Sequence, residues 1–126
     1  MNESASKSKI ISEQDVIDFA RLTGDNNPIY LDEEFAKTTR FKTRIAHGII
    51  VAGHISAIIA NDLHGKGSIY LSQSLYFKAP VFLGDKIRTE ISVISHEGTK
   101  YILECKWFNS TENVVLEGIA KVLKDD

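Results

Sequence analysis

The sequence predicts one α+β domain in which an antiparallel sheet curls around a single buried helix. Three observations carry this. Apolar residues in the first half recur at helical spacing. From Ser68 onward the period changes to two. Between the halves lies one stretch, AHGIIVAGHISAIIAN at residues 46–61, that is apolar on nearly every side. Helical segments followed by an antiparallel meander make an α+β order. A helix that is apolar all round must be covered all round, and a sheet with one apolar face covers it by wrapping.

Each element follows in order. Residues 1–8, MNESASKS, are polar and expected to fray, which leaves residues 9–126 as a single domain. Ser12 opens a helix as its N-cap, with acidic Glu13 and Asp15 in the first turn. Val16, Phe19, Ala20 and Thr23 form its apolar stripe, and Gly24 ends it. The run Gly24-Asp25-Asn26-Asn27-Pro28 is dense in turn formers and cannot continue the helix. Asp32 is placed to cap a short second helix over 33–38. The apolar run at 46–61 is long for a strand, so it is assigned to helix, and its alanines and glycines allow close approach of other backbones.

The strands come next. Ile69, Leu71, Leu75, Phe77 and Ala79 alternate with Tyr70, Ser72, Ser74, Tyr76 and Lys78 until Pro80 and Gly84-Asp85 break the run. Ile87, Thr89, Ile91 and Val93 alternate in the next segment, and Glu97-Gly98 turns the chain. Tyr101, Leu103, Cys105 and Trp107 share a face, and a polar turn at 109–113 leads to Val114, Leu116, Gly118, Ala120 and Val122. Four long strands joined by hairpin-like turns are expected, hence antiparallel pairing.

Composition narrows the function classes. The chain has 126 residues, 43% apolar and 25% charged, the balance of an ordinary globular domain. A formal charge of -2 gives no electrostatic reason to expect nucleic acid or an anionic membrane as partner. The lone Cys105 excludes an internal disulfide, and its place in an alternating run points to core packing rather than reactivity. No run approaches the roughly 18 apolar residues of a membrane span, and the polar start lacks a signal-peptide pattern, so a cytoplasmic protein is expected. No metal is expected, because His47, His54, His64 and His96 form no H-E-x-x-H and there are no paired cysteines. No cofactor is expected either, since the glycines make no dinucleotide or phosphate-cradling fingerprint.

The informative segment is TGDNNPIYLDEEFAKTTRFKTRIAHG, residues 23–48. Asp25 sits on a turn beside the buried helix. Locally it reads either as an Asx turn that ends a helix or as a general base held on rigid backbone. Ile45-Ala46-His47-Gly48 places backbone amides at the start of the buried helix, where they could stabilise an enolate oxygen or could simply be an ordinary helix end.

G-D-x-N-P followed some twenty residues later by R-I-A-H-G, together with GKGSIYLSQSLYFKAPVFLGD at 65–85, resembles the MaoC-like family, and most of all its (R)-specific enoyl-CoA hydratases. The resemblance runs from about Ser12 to near the C-terminus. It implies a hotdog fold, a homodimer or dimer of dimers, and a substrate carried on CoA or acyl carrier protein. The implied reaction is reversible hydration of a trans-2-enoyl thioester to the (R)-3-hydroxyacyl thioester. Residue by residue, Asp25 matches the catalytic aspartate, Asn27 an asparagine that shapes the site, and Gly48 the amide facing the thioester carbonyl. Ser56 falls where a family serine can hold the aspartate. His47 matches a motif histidine whose role is support or catalysis.

One position departs. The family motif reads D-x-N-P-x-H, whereas here Asp25-Asn26-Asn27-Pro28-Ile29 is followed by Tyr30. Neutral imidazole accepts on one nitrogen and donates from the other, but a phenol of ordinary pKa about 10 can donate and is a poor base. Tyr30 is therefore a supporting donor to a site run by Asp25, or a packing residue. Two further readings share the fold. One is an acyl-CoA thioesterase; the other is a catalytically impaired acyl-thioester-binding or partner subunit.

Overall fold

A computed structural model describes residues 3–125. In chain order the elements are strand β1 (Ser4–Ile10), helices α1 (Glu13–Thr23), α2 (Pro28–Leu31), α3 (Glu33–Ala36) and α4 (Gly48–Asn61), then strands β2 (Ile69–Gln73), β3 (Tyr76–Phe77), β4 (Lys86–Glu97), β5 (Lys100–Phe108) and β6 (Val114–Leu123). The strands form one antiparallel sheet in the order β1-β4-β5-β6-β2, with β3 also paired to β6.

The centre of the sheet follows the alternation in the sequence. Ile87, Thr89 and Ile91 on β4, then Tyr101, Leu103, Cys105 and Trp107 on β5, and Leu116, Ala120 and Val122 on β6 are all buried. They face α4, which presents Val51, Ala52, Ile55, Ile58 and Ile59 to them. Trp107 is fully buried, and its indole N–H donates to the Val51 carbonyl at 2.9 Å, fixing the helix against the sheet. Cys105 is part of this core, and burial pushes its thiol up to about 12, so the packing reading holds.

Helix α1 is built as its sequence dictates. Ser12 accepts from the Asp15 amide at 3.0 Å while the Asp15 carboxylate accepts from the Ser12 amide at 3.0 Å, a complete capping box. Gly24 closes the helix at φ 79°, and its N–H donates to the Ala20 carbonyl. Asp32 caps α3 by accepting from the Glu34 and Phe35 amides.

Four expectations are corrected. Residues 4–10 do not fray; they form β1, paired to β4 from Ser4↔Ser92 to Ile10↔Lys86. The strand is almost wholly exposed and held by backbone hydrogen bonds, so SASKSKI carries no apolar alternation to announce it. The part of the expected loose terminus at positions 1 and 2 lies outside the described residues.

The run 68–79 is not one long strand in a hairpin with the next. It divides at Ser74, and both pieces pair with β6 at the far edge. The division has a local cause. The Ser74 carbonyl crowds Gly118, where an added Cβ would clash with its oxygen, while the Ile119 amide donates to Ser74 Oγ at 2.9 Å. A crossing segment anchored by the Ala46 amide on the Val81 carbonyl (2.7 Å) and the Ile45↔Phe82 bridge then carries the chain over to β4.

Helix α4 begins at Gly48 rather than at 46. It is not covered all round within one protomer, because Ile49, Gly53, Ser56, Ala57 and Ala60 are exposed. Pro28, as expected, does not continue α1. It is the first residue of the short helix α2, the position where its missing N–H costs nothing.

Candidate active site

The turn after α1 is a ladder of side-chain caps. Thr23 Oγ1 accepts from the Asp25 amide at 3.2 Å, Asp25 Oδ1 from the Asn27 amide at 3.2 Å, and Asn27 Oδ1 from the Ile29 amide at 3.1 Å. Each acceptor takes an amide two residues on, so the backbone between α1 and α2 is fixed without regular secondary structure. Asn27 is thus the N-cap of α2, the helix that carries Tyr30. Asp25 spends only Oδ1 on its turn. Its side chain remains 47% exposed, and Oδ2 is directed at His47.

His47 stands at the N-cap of α4 and is 2% exposed. Its Nε2 lies 3.4 Å from the Asp25 carbonyl oxygen and 3.9 Å from Asp25 Oδ2. Both are acceptors, so the tautomer with its proton on Nε2 is the one that fits. Nδ1 is buried with no hydrogen-bond partner among the described residues, a departure from the rule that buried polar atoms are matched. The ring is held by Phe19, at 4.9 Å between centroids, and by Tyr30, at 3.9 Å and 31°.

Tyr30 links two compartments. One face of its ring packs on His47, while the residue also lines a cavity of about 570 Å³ together with Gly48, Ile49, Phe41, Phe77 and Leu116. Desolvation first, and the neighbouring Asp25 charge second, raise its pKa above the ordinary 10, so the phenol stays protonated at neutral pH. Arg44 braces the segment. Its Nε donates to the Tyr30 carbonyl at 2.8 Å, and its Nη1 to Glu13 on α1 at 2.7 Å.

At the start of α4 the amides of Gly48 and Ile49 donate to no other group among the described residues, and His47 gives no side-chain cap. Such amides at the positive end of a helix suit an oxygen that gains negative charge. A Cβ at Gly48 would come within 2.5 Å of the Phe77 ring, so a glycine is needed for this wall to approach the helix so closely.

The structure therefore brings Asp25, Tyr30, His47 and Gly48 together, with Asn27 holding the turn. It does not bring in Ser56. That residue is exposed on α4, two turns beyond Gly48, and no hydrogen bond joins it to Asp25 among the described residues. His54 faces a different cavity, with Lys7 and Lys9 of β1. Among the described residues no group of histidine, cysteine or carboxylate side chains could hold a metal ion. Arg44, Phe41 and Phe77 were not singled out from the sequence. Arg44 lay inside the R-I-A-H-G motif, but its bond to a backbone carbonyl fourteen residues away leaves no local pattern.

Comparison with known proteins identifies the family. Residues 2–110 match the family described as MaoC like domain. The (R)-specific enoyl-CoA hydratase of Rhodospirillum rubrum is 46% identical over 127 residues, covering 96% of this chain and 85% of that protein. The 3-hydroxybutyryl-CoA dehydratase of Methylorubrum extorquens is 47% identical over 116 residues, covering 90% of this chain and 73% of that one. Among solved structures, the unliganded R-hydratase PhaJ1 from Pseudomonas aeruginosa superposes with a TM-score of 0.93 at 38% identity, covering 100% of this chain and 82% of its own. The antiparallel sheet on α4 is a hotdog fold, and the chain belongs to the MaoC-like family.

Proposed function

We propose that the protein is a lyase that reversibly hydrates trans-2-enoyl thioesters of CoA or acyl carrier protein to (R)-3-hydroxyacyl thioesters. The observation that carries the reading is the Tyr30 ring, which bridges the apolar cavity and the Asp25–His47 pair at the head of α4. In this reading the acyl group enters the cavity and its thioester oxygen meets the Gly48 amide. Asp25 Oδ2, the oxygen not used by the turn, takes a proton from water as that water adds to C3. The same carboxyl returns the proton to C2 on the same face, so one water is added and Asp25 is regenerated. The neutral Tyr30 phenol donates a hydrogen bond to the water or substrate and needs no change of charge. Positioned amides and one carboxylate carry the barrier reduction, with Tyr30 in a supporting part.

We further infer a homodimer or dimer of dimers in a cytoplasmic setting. Support for association comes from large apolar side chains left exposed on β2 and β3, among them Ile69 at 60% and Phe77 at 54%, alongside the exposed face of α4. Among the described residues no helix is long and apolar enough to cross a membrane.

The test is crotonyl-CoA turnover by the purified protein, followed by loss of enoyl absorbance and by a thiol assay in parallel. Formation of (R)-3-hydroxybutyryl-CoA without free thiol is the expected result. Thiol release from a saturated acyl-CoA would assign thioesterase chemistry instead, and binding without turnover would assign a partner subunit.

A further inference from the structure

We propose that Arg40 is the phosphate-reading residue of this pocket, recognising the phosphate that joins the pantetheine arm of a thioester substrate to its carrier. The inference rests on the thioester reading above and deepens it by naming what the mouth of the cavity recognises.

The cavity wall is apolar apart from Tyr30 and two cations, Arg40 and Lys78, and it includes no carboxylate. This is notable in a chain whose acidic residues outnumber its lysines and arginines, 17 to 15. The two cations are not equivalent. Lys78 is already paired with Glu117 at 2.9 Å, so much of its charge is answered within the protein. Arg21, Arg44 and Arg88 likewise each hold a carboxylate. Arg40 is the one arginine with no carboxylate partner among the described residues.

The backbone that presents Arg40 is ordered by its own hydrogen bonds. The Thr39 amide donates to the Ala36 carbonyl at 3.0 Å, and the Lys42 amide to the Thr39 carbonyl at 3.2 Å. Thr39 Oγ1 donates to the Ala36 carbonyl at 2.7 Å while accepting from the Phe41 amide at 3.3 Å. Phe41 lines the same cavity beside Arg40. An apolar ring lining the slot and an exposed guanidinium beside it form a pair suited to an amphipathic ligand with an anionic end. A planar guanidinium matches phosphate oxygens through two parallel N–H donors, which Lys78 cannot do. A cavity of about 570 Å³ lies within the range of small-molecule sites and leaves charged parts of a large carrier outside, where Arg40 is exposed.

The experiment compares wild type with Arg40→Ala on three crotonyl thioesters: CoA, 4′-phosphopantetheine and pantetheine, the last with no phosphate. With crotonyl-CoA, KM should rise about five- to tenfold with kcat within twofold, the size of one charge-assisted contact at an exposed site. With crotonyl-pantetheine that difference should vanish. An equal penalty on the phosphopantetheine ester assigns the phosphate shared by CoA and carrier protein. A penalty confined to CoA would place the contact on a nucleotide-side phosphate and overturn the proposal. Equal penalties on all three substrates, or none on any, would overturn the proposal.

Calorimetric titration of free CoA into both proteins keeps this test separate from the reaction itself. If wild type binds CoA about tenfold tighter than Arg40→Ala yet hydrates nothing, the hydratase reading fails and the phosphate site stands. Because Arg40 is exposed and holds no carboxylate among the described residues, the substitution should leave thermal stability unchanged, which excludes misfolding as the cause of any loss.

Discussion

Helix α4 meets two different environments. Its side toward the sheet packs on a core in which polar groups are matched: Trp107 gives its only donor to the Val51 carbonyl, and Ile55, Ile58 and Ile59 touch apolar neighbours. Around its N-terminal end lie polar groups that are not matched among the described residues: His47 Nδ1 is buried without a hydrogen-bond partner, the Gly48 amide has no acceptor, and Asp25 Oδ2 accepts no hydrogen bond. The same fourteen-residue helix thus has a packed side and an unmatched N-terminal end, while His54 Nδ1 on its flank is also buried without a partner among the described residues. Groups that a core would satisfy are left unsatisfied where a ligand can satisfy them.

The contrast is broken most forcefully from the core side. Trp107→Ala removes the largest fully buried side chain and its bond to α4, and should cost about 3–5 kcal/mol in urea unfolding. Any remaining folded protein should keep its Asp25-dependent chemistry. A loss under about 1 kcal/mol would mean that Trp107 does not anchor the helix.

From the other end, Gly48→Ala should leave stability nearly intact, because the half-exposed Phe77 ring can turn aside. A methyl group at the wall should instead cut kcat/KM about 10- to 100-fold by displacing the thioester. Stability loss with full activity would reverse the two roles.

Tyr30→Phe sharpens the comparison further. It keeps the ring on His47 and removes only the donor, so kcat should fall about three- to tenfold with an unchanged melting temperature. Since burial and Asp25 hold the phenol pKa above 10, wild type should show no alkaline limb from Tyr30 below that pH. A wild-type limb near neutrality that disappears in Tyr30→Phe would make the tyrosine a titrating catalyst.

The smallest effect concerns His54, on the flank of α4. Burial foremost, and then Lys9, hold its pKa below the ordinary 6.5, with Asp15 opposing. The unfolded chain then binds a proton that the folded chain refuses, so this contribution is fully present above about pH 6.5 and lost as pH falls. The urea midpoint of wild type should drop more between pH 7.5 and 5.5 than that of His54→Gln. Parallel slopes would show that His54 titrates alike in both states.

What could be read from the sequence divides along similar lines. Ser12, Gly24 and Asp32 announced their caps because capping is local chemistry within three residues. The faces of β4, β5 and β6 were legible because burial on one side enforces alternation. β1 was not, since an edge strand held by backbone bonds leaves its side chains free to be polar. The alternation of Ile69, Leu71 and Phe77 was visible, and it suggested one long strand with an apolar face. These residues are exposed in the protomer, because pattern reports that a face is apolar and not what covers it.

In the candidate site, the motif named Asp25, Asn27, His47 and Gly48, and the structure adds that the two Asp25 oxygens face different partners. The sequence left Asp25 as either a turn former or a base. Oδ1 makes the turn, and Oδ2 is left facing His47. Ser56 illustrates the limit, since a matched position says nothing of the distance to its supposed partner. Arg44 illustrates another, because its two bonds join segments far apart in the chain.

The most direct measurement is the crotonyl-CoA hydration rate of Asp25→Asn beside wild type, with thermal unfolding of both. Asparagine keeps the Oδ1 acceptor for the Asn27 amide and cannot take a proton, so the turn should persist and the base should not. The expected result is a kcat lower by about 10²–10⁴ with a melting temperature within a degree or two of wild type. Wild-type turnover in Asp25→Asn would contradict the assignment of Asp25 as the base.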